Sequence, residues 1–255
     1  MLERLRTWMR EESARAGLRG RRVTVSARGL RPEEAIGTPT RRDYPLLTGK
    51  ERMVEALLDG ARGQAFTDAP REVTATLEEI IEGPLSDNRA RGVFVAAANA
   101  LAARTGQVRD TLHCRDDEPE DCARRIVAAL QQDPATARVG LIGMNPAIAE
   151  ALVGAFGAGN VTITDRAPDV VGTEHFGVEI LDGDRGLDTL LAASDVVLMT
   201  GTTLVNGTWG GILMRAEAAG VPVHVFGVTA AAACALSGRP RLCFCAHPFE
   251  DSLST

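Results

Sequence analysis

Two side chains are nearly missing from this chain. Among its 255 residues, Lys50 is the single lysine and Tyr44 the single tyrosine, although Lys and Arg together number 28. Arg serves wherever only a positive charge is needed. A lysine kept against that bias marks a place that needs a deprotonatable amine, which Arg cannot supply. Chance survival of one codon explains the count equally well. Long apolar runs are also missing: none reaches the roughly 18 residues that span a bilayer. The stretch MLERLRTWMREESARAG is charged throughout and has no apolar h-region, so no signal peptide is predicted. Cysteine is sparse and odd in number, at 114, 122, 234, 243 and 245. Without an export signal, reduced thiols and a cytoplasmic location are expected. A net charge of −6 and a pI of about 5.4 argue against nucleic acid or an anionic membrane as partner.

What is present is ordinary for a globular protein: 45% hydrophobic and 24% charged residues. The length suits two small domains. Leu2, Leu5, Trp8 and Met9 recur at helical spacing over residues 2–16. Val23 and Val25 alternate with polar residues, as in a half-buried strand. Gly37, Pro39 and Pro45 break regular structure over 37–47. Met53, Val54, Leu57 and Leu58 predict a helix from Lys50 to Leu58, closed by Gly60 and Gly63. Residues 73–82, 89–104 and 119–132 read as further helices, the second apolar enough to be buried.

After Asp133-Pro134 the pattern changes. Short apolar runs at RVGLIGM, NVTITD, FGVEIL, DVVLMTG and PVHVFGV alternate with helical segments. This indicates βαβ units and a parallel sheet. The expected fold class is therefore α/β, with an N-terminal α+β domain over 1–133, including a connecting helix, and a Rossmann-like parallel-sheet domain over 134–255.

In such sheets ligands bind beyond the carboxyl ends of the strands, where strand order reverses. Three features lie there. The first is the turn from Gly140 through Gly143 and Met144 to Asn145-Pro146, a good helix start. The second is Asp165, at a strand end 22 residues past Gly143, where a ribose hydroxyl pair is held. The third is the uncharged loop from Thr200 to Thr208, with Thr202, Thr203 and Asn206, which suits an amino-acid or hydroxylated ligand end. The turn lacks G-x-G-x-x-G, and Pro146 removes an N–H donor. A phosphate-free adenosyl ligand such as S-adenosylmethionine therefore fits better than NAD. Arg166 leaves NADP open, and a solvated Asp165 with an empty fold is the plain alternative.

In the first half, reactive groups gather in the irregular stretch from Glu33 to Glu51. Lys50 is expected at a helix start, where the dipole lowers an amine's pKa and lets it act as a base. Asp43 and Tyr44 are its neighbours, and Asp68 in a polar turn reaches towards the same cleft. A Lys50–Glu51 surface pair is the alternative. Asn99, on an apolar helix, reads as a structural amide. His113-Cys114 and the Cys243/Cys245/His247 trio carry soft ligands for Zn or Cu(I), but without a C-x2-C pair. Cys122 lies on an apolar stripe and reads as core.

Several long motifs carry a family resemblance: EAIGTPTRRDYPLLTGKERMVEALLDGARGQAFTDAP, NALAARTG, TLHCRDDEPEDCA, VLMTGTTLVNGT and VHVFGVTAAA. Over most of residues 23–246 the chain resembles the DUF364 family, labelled putative heavy-metal chelation, with its N-terminal partner DUF4213. The resemblance implies an enolase-N-terminal-like α+β domain, then a Rossmann-like domain partly similar to methyltransferases, with the active site between them. It places Glu34, Asp43, Tyr44, Lys50 and Asp68 at the cleft, joined by His113, Asn206 and Thr229.

The combined expectation is a small-molecule biosynthetic enzyme of lyase or transferase type. Lys50, Tyr44, Asp43 and Asp68 would carry the chemistry, with Glu34 and His113 on the substrate. Gly143, Asn145, Asp165, Thr200, Thr202, Thr203, Asn206 and Thr229 would bind S-adenosylmethionine or a related ligand. No further cofactor and no resident metal is expected, and the chain is compatible with a homodimer. The alternatives are a metal-binding or chelator-handling protein and a non-catalytic nucleotide sensor.

Overall fold

The computed structural model describes residues 1–18, 24–49 and 51–248. Helix α1 (Leu2–Arg15) buries Leu5 and Met9, and strand β1 (Thr24–Leu30) follows. Val23, paired with Val25 in the sequence reading of this strand, lies outside the described residues. Two short helices, α2 (Pro32–Ile36) and α3 (Pro45–Thr48), each begin with the proline that suits a first helical turn. Next come β2 (Arg52–Leu58), β3 (Ala61–Thr67), β4 (Val73–Thr76), α4 (Leu77–Glu82) and α5 (Asn88–Arg104). The four strands form one antiparallel sheet in the order β3-β2-β1-β4.

The helix expected over 50–58 is therefore a strand. β2 has a neighbour on each side, and Met53, Val54, Ala56 and Leu58 are all buried, so its apolar residues fall on both faces. Two-sided burial removes the two-residue alternation that would have marked a strand. Leu57, assigned to the helical face, is 45% exposed. Asp59-Gly60, both at positive φ, makes the tight turn into β3, with Leu58 paired to Ala61. Asp-Gly between apolar runs is a strong hairpin signal that the helical reading passed over. Two further readings change. Residues 63–67 belong to β3 rather than to a polar turn, and 73–82 divides into β4 and α4, with Thr76 capping the helix.

α5 is the hinge of the packing. Every residue from Gly92 to Ala102 is buried. One side lies on β2 and β3; another meets the second half of the chain. Its small residues let a strand approach closely: a Cβ on Gly63 would stand 2.1 Å from the Ala100 nitrogen. Asn99, wholly buried in this helix, donates to the carbonyls of Gln64, Val228 and Thr229 and accepts from the Ala232 N–H. It is the structural amide expected, and it ties β3 to the far half.

β5 (Asp110–Leu112) and α6 (Glu118–Leu130) lead into the second sheet. That sheet holds β6 (Val139–Ile142), β7 (Val161–Asp165), β8 (Glu174–His175), β9 (Val178–Asp182), β10 (Val196–Thr200) and β11 (Val223–Phe226). Its order is β11-β10-β6-β7-β9-β8, with only the edge strand β8 antiparallel. Helices α7 (Pro146–Phe156), α8 (Leu187–Ala192), α9 (Thr202–Val205), α10 (Trp209–Ala218) and α11 (Ala231–Ser237) alternate with these strands. This is the Rossmann-like arrangement the sequence pattern predicts. One apolar core joins α1, α5 and the antiparallel sheet to one face of β10, and a second lies on the opposite face with α6 and α7. Finally β12 (His247–Pro248) returns to pair with β5.

Candidate functional site

Strand order reverses beside β6: β7 follows on one side and β10 on the other. A crevice must open there, because the chain leaves the two strands in opposite directions. A cavity of about 780 Å³ occupies it, closed from above by Tyr44, Glu51, Phe66, Asp68, His113 and the start of α6.

The parallel-sheet side is built by close backbone approach. Gly143 takes φ +92, and a Cβ there would stand 2.6 Å from Thr200 Cγ2. Asp165 accepts from the Met144 N–H at 2.6 Å and the Ala167 N–H at 2.8 Å. Its carboxylate thus clamps the turn and still has lone pairs for a ligand facing it. Asn145 caps α7 by accepting from the Ile148 N–H. Gly143, Asn145, Asp165, Thr200, Thr202, Thr203, Asn206 and Thr229 all line the cavity.

The threonine segment is not the open loop that was expected. Residues 202–205 form α9, and much of the polar capacity is used internally. Thr203 donates to the Thr200 carbonyl at 2.7 Å, and the Thr200 and Thr202 hydroxyls are 3.2 Å apart. The Asn206 side-chain oxygen accepts from the Thr208 N–H and hydroxyl. Thr208 precedes α10 without a side-chain capping bond. Thr229, 1% exposed, accepts from the Phe66 N–H and so ties β3 to the far wall.

The residues expected from the first half separate. Asp68 lines the cavity and is held by both carboxylate oxygens to the Asn88 amide. Tyr44 lines it too, but its hydroxyl donates to Glu120 at 2.7 Å, and burial raises its pKa well above that of a free phenol. A phenol so held is a poor proton donor to a ligand. Asp43 is exposed, pairs with Arg41 and is absent from the cavity wall. Glu34 is also outside it. Arg28 and Arg31 hold Glu34 at the start of α2 and depress its pKa to about 2. Those two placements at the cleft are corrected. Arginine pairing in this Arg-rich chain draws both carboxylates to the surface. Lys50 lies outside the described residues; the structure that follows from Arg52 is a strand, so the helix-start argument for its pKa no longer applies.

His113 reaches the cavity with its ring edge-on to Phe66, 5.3 Å between centroids, and burial pushes its pKa down to about 4. Its Nδ1 is buried without a hydrogen-bond partner.

Two features were missed. Glu51, considered only as the surface partner of Lys50 in the alternative reading, lines the cavity. Burial, and then the charges of Asp165 and Asp68, push its carboxyl up to about 7. The signal was its position in the irregular stretch beside Asp68, but the carboxylate from the other half is 114 residues away in sequence. The second is a group of thiols. Cys114, Cys122 and Cys243 line the far end of the cavity. Cys122, read as core, is buried but meets the Cys243 thiol, which lowers its pKa. The Cys243/Cys245/His247 trio does not act together: His247 turns away to Glu118 at 2.6 Å. Among the described residues no three His, Cys, Asp or Glu side chains are grouped to hold a metal ion.

Comparison with known proteins matches residues 127–240 to the DUF364 family model, described as putative heavy-metal chelation. Over this segment the chain is similar to the DUF364 family. A DUF364 protein of unknown function from Pyrococcus horikoshii superposes with a TM-score of 0.52 at 16% identity, over 89% of this chain and 79% of that one. A second DUF364 protein, from Desulfitobacterium hafniense and likewise of unknown function, gives 0.48 at 16% identity, over 73% and 72%. Curated proteins yield no match. The Pyrococcus likeness establishes the fold around the DUF364 segment and not its chemistry. No helix among the described residues is long and apolar enough to cross a membrane.

Proposed function

We propose that the cavity binds a small organic cation carrying hydroxyl or amino-acid groups, and that the protein transforms it by moving a proton. The observation behind this reading is the charge of the wall. Glu51, Asp68, Asp165 and Asp169 face the cavity, beside the Arg166–Asp184 pair and Arg215. Arg166 pairs with Asp184 at 3.0 Å and Arg215 with Asp188, so neither is free for an anion. A carboxylate-rich, partly apolar crevice disfavours a phosphate and favours a cation. S-adenosylmethionine meets this description: its ribose matches Asp165, its sulfonium and ammonium match the acidic wall, and its methionine end matches the Thr200–Thr208 segment.

Glu51, titrating near neutrality, is the group suited to take or return a proton at the reacting carbon. A sulfonium is a good leaving group, so proton removal is the step that needs help, with elimination, cyclisation or condensation to follow. Calorimetric titration with S-adenosylmethionine tests the reading. Saturable heat is expected, diminished in Asp165→Ala; no heat at millimolar ligand removes the adenosyl assignment. Glu51→Gln is expected to bind and not turn over, whereas a sensor would keep its response. The family description places metal handling beside this reading, and the groups that bear on it are the thiols at the other end of the cavity.

A further inference from the structure

Charge is divided unevenly around the cavity, and the sheet order lays out the division. The strand ends that line it run β11, β10, β6, β7, β9. Asp165 and Asp169 lie at the end of β7, and Asp184 follows β9. The turns directly after β6, β10 and β11 bring no charge to the wall. With about 4.8 Å between strands, the end of β11 stands about 14 Å from that of β7. α6 extends the uncharged wall. Pro119, Cys122 and Ile126 line the cavity at helical intervals, while Glu118, Glu120 and Arg125 stay off it. Polar groups nearby turn to one another: the Tyr44 hydroxyl donates to Glu120, His247 pairs with Glu118, and Arg125 donates to the Phe244 carbonyl at 3.0 Å. The His113 ring, edge-on to Phe66, is kept neutral by burial.

We propose that this uncharged half of the cavity holds an alkyl or aryl group of the substrate, whose cationic group lies at Glu51 and Asp165. The inference rests on the cation reading above and narrows it to an amphipathic cation. Ile36, Phe226 and Leu242 complete an end whose side chains offer water few partners. Water displaced from such walls by carbon returns to bulk, so each methylene buried there strengthens binding about fourfold. The whole cavity, about 780 Å³, is of the size that takes one small organic molecule. The carboxylates at the other end fix which way round that molecule enters.

The test is calorimetric titration of the whole chain with two series of probes, n-alkylammonium chlorides and n-alkanols, from butyl to octyl. Affinity is expected to rise about fourfold per methylene in both series, with each ammonium ahead of its alkanol. Leu242→Asp, which puts a charge on a part-buried wall position, is expected to abolish the rise. Asp165→Asn is expected to weaken the ammonium series at least tenfold and to leave its rise intact. Affinities that stay flat with chain length overturn the apolar half, even where the ammonium head binds. A rise that survives in folded Leu242→Asp overturns it too. Alkanols that climb as steeply as the amines and bind as tightly leave the apolar half standing and remove the cation reading instead. The series on the unaltered protein decides the matter if Leu242→Asp fails to fold.

Discussion

Gly63 of β3 and Ala100 of α5 are packed so closely that a single added carbon on the glycine would lie 2.1 Å from the helix backbone, with the Ala96 carbonyl 2.5 Å away on the same side. Backbone cannot retreat as a side-chain tip does. Gly63→Ala is therefore expected to lower unfolding free energy by about 3 kcal/mol or more. Gly154, in α7 with nothing within 4 Å of its added Cβ, is the control. Gly154→Ala is expected to gain about 0.5–1 kcal/mol. Urea denaturation of the two variants gives both signs.

Asn99 concerns the same junction. Its amide bonds four backbone groups from two segments, Gln64 in β3 and the stretch 228–232. Asn99→Leu leaves those groups buried without partners, at an expected cost of about 2–4 kcal/mol. Equilibrium unfolding measures it, and a loss below about 1 kcal/mol would mean that water replaces the amide.

Glu51 carries a pH signature. Its carboxyl is raised in the fold to about 7, so the fold favours the protonated form. Stability from this group is whole below the ordinary glutamate pKa and declines as pH rises through about 7. Glu51→Gln is expected to match the parent near pH 4 and to exceed it by about 2 kcal/mol near pH 8, with allowance for partial exposure. Melting temperatures across that range decide the point; equal differences at both ends would reject it.

Gly143 sets the width of the crevice. An alanine there faces both φ +92 and a contact 2.6 Å from Thr200 Cγ2. Gly143→Ala is expected to cost about 1–3 kcal/mol of stability and to weaken any ligand of the β6 turn by at least tenfold. Calorimetry on the folded variant reads the second effect.

The parallel sheet was readable because each buried strand is a short apolar run between turn residues, and α6 because Cys122, Ile126, Val127 and Leu130 keep the helical interval. β2 defeated the same logic: with both faces covered it has no interval of its own, and only Asp59-Gly60 betrayed the hairpin. At the site, the β6 turn and Asp165 were legible through fixed spacing. Glu51 against Asp165, and Cys122 against Cys243, are meetings of distant segments, and no local pattern encodes them. Glu34 and Asp43 show the converse, since nothing local reveals that an arginine will draw a carboxylate away.

The return of the chain to β5 orders events during synthesis. His247 pairs with Leu112, and Arg125 grips Phe244, across more than a hundred residues. While a ribosome is still making β10, the wall holding Cys122 has no Cys243 to face, so a nascent chain carries that thiol uncovered.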